Sequence, residues 1–442
     1  MAAPATDNAA NTGLQPRVFL FLEGPSSPLF CKIAADLETR GHRCLRINLN
    51  AGDQIFWRRR GGHNYRGRGG LEWQNYVATF MDGHGVTDLV LLGEERPYHQ
   101  LALAAAKARR IEVSVIEMGY LRPDWLTLER NGMSSNSNFP ADPQQIIDAA
   151  QDLPEPDWTR RHTQSFVADA GYDLLYNLPN VFLWFLFPHY RRHALFHPLA
   201  EYAGWLRRLA GSGRNARKAS ALITRLIDRK TRFFVYPLQL QTDYQLRSHS
   251  PYNGQHQAIE HILRSFACHA DADTHLVVKV HPLDNGLIDW EGHIARLSTE
   301  LQIGDRVDFL DGGDLNALSA KALGLVTVNS TAGLHALQIG TPVKVLGAAV
   351  FDIAGLSDQS ALENFWAAPA PPQEPTRTAF FRLLAATIQV RGNFYSKKGT
   401  DAGALAIAER LHNRSVNQPG AFVDPPPRRR PEKIAPARMS ER

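Results

Sequence analysis

The amino-acid sequence predicts an α/β protein of two Rossmann-like domains, with a cleft between them and a helical middle segment. Three observations carry that prediction. At 442 residues the chain exceeds what one hydrophobic core supports, so two domains are expected. Short apolar runs alternate with helical patterns in two separate stretches, 16–145 and 231–390. Between them, residues 146–230 read as helix, broken by Pro154, Pro156, Pro179, Pro188 and Pro198.

Residues 1–15 carry neither the basic start nor the apolar run of a signal peptide and read as a disordered leader. The first module opens with an apolar strand, 17–22, that ends in Glu23, Gly24 and Pro25. A helical pattern spans 29–39, Gly41 stops it, and 43–49 is the second strand. Strand 88–93, helix 98–109 and strand 111–116 follow. The second module repeats the rhythm. Strand 232–240 leads to helix 254–270 and strand 275–281, then helix 290–301 and a short strand from Val307. Helix 315–322, strand 323–328, helix 332–339 and strand 341–346 complete it. Such alternation marks βαβ units around a parallel sheet. Two units of this kind facing each other make a GT-B-like layout, with ligands expected in the cleft. Residues 391–414 read as a C-terminal helix. Residues 415–442, with three prolines and three arginines at 425–430, read as a disordered basic tail.

Hydrophobic residues make up 44% and charged residues 21%, a globular balance. No stretch reaches the ~20 apolar residues of a membrane-spanning helix, so a cytosolic or peripheral protein is expected. Cys31, Cys44 and Cys268 lie far apart without paired spacing, which argues against a disulfide framework or zinc site and fits a reducing compartment. The net charge of +5 is clustered at 58–60, 191–192, 207–208 and 428–430. Any one cluster reads as a solvated surface, but together they point to an anionic partner. Aromatic-interleaved RNA-binding signatures are missing, so acidic lipid is favoured over nucleic acid. The apolar run 181–187, followed by Arg191 and Arg192, fits buried core, the commoner fate of such a run. It also fits a lipid-contacting element.

No P-loop, GxGxxG fingerprint, GxSxG elbow or metal-ligand spacing is present, and neither cofactor nor metal is expected. The informative residues lie at strand ends of the second module, the edge where α/β sheets bind ligands. Lys279, His281 and Pro282 close one strand. His281 suits a phosphate contact with charge from Lys279, and equally suits a plain strand-end cap. Asn329, Ser330, Thr331 and Gly333 run from another strand into a helix, which fits a phosphate cradle or an ordinary N-cap. Asp243 follows the first strand of this module. It fits a nucleophile in the cleft or a turn former.

The pairing of His281-Pro282 with Ser330-Thr331 resembles the motifs with which bacterial transferases of CMP-activated acidic sugars hold the CMP moiety. Residues 47–57, the stretch Arg96-Pro97-Tyr98-His99 and residues 117–129 resemble the capsule polysaccharide biosynthesis/export proteins of the KpsS/LipB type. The resemblance covers about residues 17 to 390. It implies a retaining β-Kdo transferase that moves Kdo from CMP-Kdo to a (lyso)phosphatidylglycerol-type phospholipid acceptor, starting the poly-Kdo linker of a capsular polysaccharide. It further implies a cytoplasmic protein, peripheral at the inner face of the inner membrane, working beside other capsule biosynthesis/export proteins. By the same resemblance Asp243 is the nucleophile, Glu117 in its Glu-x-Gly motif is the carboxylate across the cleft, and His281 is the HP histidine. Glu23, Asn50, Asp53, Arg96, His99 and Arg122 fall on the acceptor side. Two departures concern that half: Ser26-Ser27-Pro28 where the family usually has glycine, and Glu94-Glu95 where an Asp-Cys pair is common. A transferase using another nucleotide sugar, or a non-catalytic capsule export or scaffold protein, remains an alternative at this point.

Overall fold

The computed structural model describes residues 15–163 and 165–434; the expected leader falls almost wholly outside them. Among the described residues twelve strands form two sheets. The first contains β1 (Val18–Phe21), β2 (Arg43–Asn48), β3 (Gly62–Asn64), β4 (Asp88–Leu92), β5 (Glu112–Met118) and β6 (Trp125–Arg130). The second contains β7 (Arg232–Pro237), β8 (Thr274–Lys279), β9 (Val307–Leu310), β10 (Gly324–Thr327) and β11 (Val343–Val345). The last strand, β12 (Gln389–Arg391), returns to the first sheet, whose order is β12-β6-β5-β4-β1-β2-β3. The second sheet runs β11-β10-β7-β8-β9. Strands pair in parallel throughout, except that β6 is antiparallel to both β5 and β12.

Both sheets are doubly wound. Within each, the first strand is central, with the second and third on one side and the fourth and fifth on the other. This leaves a crevice at the carboxyl ends of β1 and β4, and another at those of β7 and β10, where successive connections leave for opposite faces. Strand alternation supplies the packing. Phe19 and Phe21 of β1 face helices Leu29–Thr39 and Lys397–His412 through Leu29, Ile33, Ile407 and Leu411. Leu20 and Leu22 face Trp73, Val77 and Ala102 on the opposite helices. In the second sheet Phe234 and Tyr236 pack on Ile259, Phe266, Trp290 and Trp366. Phe233 and Val235 pack on the other side with Ala219, Leu226 and Leu334. Among the described residues no helix is long and apolar enough to cross a membrane.

The expected boundaries change at three places. The C-terminal domain does not extend to residue 390. Helix Thr376–Thr387 lies against helix Pro143–Ala150, and Phe380 meets Phe139 edge-on at 5.7 Å. β12 then completes the first sheet. The helix expected at 391–414 is not an appendage either. Ala404, Ile407, Ala408 and Leu411 of helix Lys397–His412 are buried in the first unit, and Arg17 donates to the carbonyls of Leu411 and His412. Finally, the stretch expected to be a disordered tail is packed as far as residue 434, with Val416, Asn417 and Ala421 buried. Arg428 donates to the carbonyls of Phe139 and Pro140 in one unit and of Ala349 and Val350 in the other. Arg430 pairs with Glu95, and Lys433 donates to the carbonyls of Arg247, Ser250 and Tyr252. The physical reason is that from residue 425 onward the strap is held mainly by basic side chains, on main-chain carbonyls and on the Glu95 carboxylate, contacts that composition does not reveal. Residues 435–442 lie outside the described residues.

Candidate active site

The crevice of the second sheet faces the β5–β6 hairpin of the first, and the two line a cleft that opens to solvent. Glu117 and Arg122 enter it from the first unit, and Asp243, His281, Asn329, Ser330 and Thr331 from the second.

Glu117 is placed by the hairpin. It pairs in register with Thr127, and Gly119 N donates to Trp125 O at 2.9 Å. A Cβ at Gly119 would lie 2.2 Å from that same oxygen, so the glycine of Glu-x-Gly is required for the strands to meet. The Met118 amide donates to Glu117 Oε1 at 3.0 Å. Burial pushes the Glu117 carboxyl up and Asp243 across the cleft adds to it, while Arg96 and Arg122 pull it down. The balance lies above the usual carboxylate range.

Asp243 follows β7 and caps helix Tyr244–Ser248, accepting from the Gln245 amide at 2.8 Å. Burial raises its carboxyl as well, against pulls from that amide, Arg122 and Gln239. Gln239 in turn exchanges two hydrogen bonds with Asn329, one donated by its Nε2 at 2.9 Å and one accepted from the Asn329 amide at 3.2 Å.

His281 leaves the end of β8 and accepts from the Leu283 amide through Nδ1 at 3.0 Å. That bond puts the ring proton on Nε2. Burial, with Arg122, Lys279 and Arg208 nearby, lowers the imidazole to about 4. It is therefore neutral near pH 7 and offers one N–H donor. Ser330 Oγ accepts from the Ala332 amide at 3.2 Å, which leaves its O–H free to donate.

Of the other expected donor-side residues, Lys279 and Pro282 sit elsewhere, while Asn329 and Gly333 chiefly support the fold around the cleft. Lys279 is buried beside Asp311 on another surface, with Pro282, because the strand ends at Lys279 and its alternation does not reach His281. Asn329 is mainly a brace, donating to the carbonyls of Gln245 and His249. Gly333 is a packing glycine, since a Cβ there would meet the Phe351 ring at 2.9 Å.

On the acceptor side, Arg122 belongs to the main cleft, while Glu23, Arg96, His99 and Asn50 gather around the β1/β4 crevice. Glu23, 1% exposed, pairs with Arg96 at 3.0 Å and accepts from the Tyr176 hydroxyl at 3.0 Å, with His193 at 3.7 Å. Burial alone would raise this carboxyl, but Arg96, His193 and His99 outweigh it and hold it at about 2. His99 is buried, donates Nδ1–H to Gly93 O at 2.6 Å and is pushed by burial to about 3. Asn50 donates to Tyr176 and lines a groove with Val181, Leu183 and Trp184. Asp53 is not in this group. It is wholly buried against Arg46 at 2.6 Å and accepts from Leu49 N, an internal tie of its own turn.

Sequence reasoning missed Tyr120, Ser134, Gln239 and Gln245 in the cleft, and Tyr176 and His193 at Glu23. Proximity to the Asp243 and Glu-x-Gly motifs could have found the first and third. Tyr176 and His193 come from the helical segment, where nothing local marks them. A further group, Glu94, Glu95 and His249, lies close enough to offer three ligand atoms to a cation. In this structure Arg430 supplies the positive charge there.

Fold and cleft together define a two-domain, GT-B-like α/β protein whose site is shared across the seam. The chain belongs to the capsule polysaccharide biosynthesis protein family, whose family model matches residues 87–395. It is 31% identical over 389 residues to the capsule polysaccharide export protein KpsS of Escherichia coli, spanning 88% of this chain and 99% of that protein. It is 30% identical over 390 residues to the capsule polysaccharide modification protein LipB of Neisseria meningitidis serogroup B, spanning 86% and 91%. Among solved structures it is similar to Thermosulfurimonas dismutans KpsC, β-Kdo 2,7 transferase, with a TM-score of 0.42 and 13% identity over 88% of this chain and 99% of that one.

Proposed function

We propose that the protein is a retaining β-Kdo transferase that moves Kdo from CMP-Kdo to a (lyso)phosphatidylglycerol-type lipid, starting the poly-Kdo linker of a capsular polysaccharide at the inner face of the inner membrane. The observation that carries this reading is the convergence of Glu117 and Arg122 with Asp243, His281, Ser330 and Thr331 in one cleft. Membership of a capsule biosynthesis family supports the substrate class.

The chemistry follows from these groups. His281 Nε2–H and the Ser330 and Thr331 hydroxyls donate to the CMP phosphate and stabilise the charge that grows on it as the bond breaks. Arg122 is the cation available to the Kdo carboxylate. Asp243 attacks the anomeric carbon, and the glycosidic electron pair leaves with CMP. Glu117 then takes the proton of the acceptor hydroxyl, whose oxygen displaces Asp243. Two displacements on opposite faces give retention.

The test is incubation with CMP-Kdo and a fluorescent phosphatidylglycerol-type acceptor, with product read by mass. One added Kdo and released CMP are expected. Turnover of a UDP-sugar instead would reassign the donor, and no turnover of any nucleotide sugar would leave a scaffold role.

A further inference from the structure

Helix Phe166–Phe182 is apolar in sequence, yet none of its side chains is fully buried. One side seals the Glu23 crevice: Tyr172 lies on Phe56, Tyr176 bonds Glu23, and Asn180 accepts from Gly52 N. The opposite side carries Val167, Leu174, Leu175 and Phe182, all exposed. The rim continues through a 3₁₀ turn with Trp184 64% and Phe185 58% exposed. The next helix, Pro198–Asp228, runs back alongside, with Trp205 near Phe166 and the Tyr202 hydroxyl donating to Asp173. It adds Leu199, Leu206 and Leu209 to the exposed set, at positions that share one face. A contiguous apolar rim of this length is unusual on a soluble monomer.

The charge around the rim identifies what it meets. Residues 166–229 hold nine Lys/Arg against four Asp/Glu, an excess equal to the +5 of the entire chain. Arg191, Arg207, Arg214, Arg217 and Lys218 are exposed and have no carboxylate partner among the described residues. Apolar side chains bordered by unpaired arginines complement a lipid surface carrying negative head groups. The groove lined by Asn50, Val181, Leu183 and Trp184 adjoins the same rim.

We propose that this helical hairpin is a docking face that lies flat on an anionic bilayer, with its apolar rim immersed and its arginines at the phosphates. The inference stands on this surface and does not depend on the transfer chemistry. It is tested on the full-length protein, without donor sugar, by co-sedimentation with vesicles of phosphatidylcholine alone or mixed with phosphatidylglycerol. Binding to the mixed vesicles that weakens with salt is expected. Leu174→Ser/Phe185→Ser/Leu206→Ser should weaken it at least tenfold, and Arg214→Glu/Arg217→Glu/Lys218→Glu should remove its salt dependence. All six positions are exposed, and thermal melting confirms the fold. Wild-type protein left in the supernatant at low salt, or variants that bind like wild type, overturn the proposal. So does a wild-type dimer that the apolar variant converts to monomer without loss of vesicle binding, which makes the rim a self-association surface.

Discussion

Burial holds Asp243 and Glu117 above the usual carboxylate range, while their proposed roles need both ionised. Activity should therefore fall as pH drops through values higher than an exposed carboxylate would give, and kcat/KM against pH measures that limb. His281, already neutral, should contribute no limb near 6.5. Asp243→Ala should reduce transfer at least ~10³-fold with CMP affinity retained; robust transfer by this variant removes the covalent step. His281→Ala should lower turnover about 10²-fold, the usual effect of losing one charge-stabilising donor. Glu129 gives a stability test. It is buried beneath the cleft, accepts from the Tyr120 hydroxyl at 2.9 Å and from Ser137, and is pushed by burial to about 7. A raised folded-state value means the native state binds the proton more tightly. Stability is then lost as pH rises from about 4.5 to about 7, on the order of 3 kcal/mol. Glu129→Gln should flatten that window in urea titrations. That Asp243, His281 and Ser330 would meet at one edge followed from their places after strands, and Glu117 was expected opposite them only from the family resemblance; all four line one cleft. Ser134 was not legible, since it reaches the cleft only when its hydroxyl meets Gln245 across the seam.

Among the elements, the strap 425–434 departs furthest from what composition suggests. Proline and arginine without apolar residues read as disorder, yet Arg428 meets four carbonyls from two units, a pattern visible only after folding. Arg428→Ala should cost on the order of 2–4 kcal/mol, because four buried acceptors lose a charged donor. Truncation after Arg414 should lower the melting temperature markedly. If thermal melting shows no change, the strap is an ornament of the seam. The helical hairpin behaves in the opposite way. Its aromatic run at 181–187 looks like core, yet Phe182, Trp184 and Phe185 stay exposed, and of the run's seven residues only Phe187 is buried. An apolar run reports affinity for an apolar surrounding without saying whether protein or lipid provides it.

At the scale of the molecule, the two doubly wound sheets were legible from the rhythm of apolar runs. Their connectivity was not. The short β12, three residues long, carries too little periodicity to be seen, and 258 residues (131–388) separate it from its partner β6. A fragment of residues 15–150 therefore lacks an edge strand, helix Lys397–His412 over Leu29, and the partner of Phe139. It should be molten by near-ultraviolet circular dichroism, while the full chain unfolds with a native melting transition. A well-folded fragment would mean that these returning elements decorate a unit already complete.

The return of β12 also sets a timetable for biosynthesis. While the ribosome makes the residues between Arg130 and Gln389, the outer edge of β6 has no neighbour, and Leu126 and Leu128 lack part of their cover. At ~5–20 residues per second this interval lasts roughly 13–50 s. For that time the nascent chain displays an open strand edge beside unfinished core, the kind of surface that templates wrong pairings. Expression yield should then depend on chaperone capacity and on slower growth temperature more than on the stability of the finished protein.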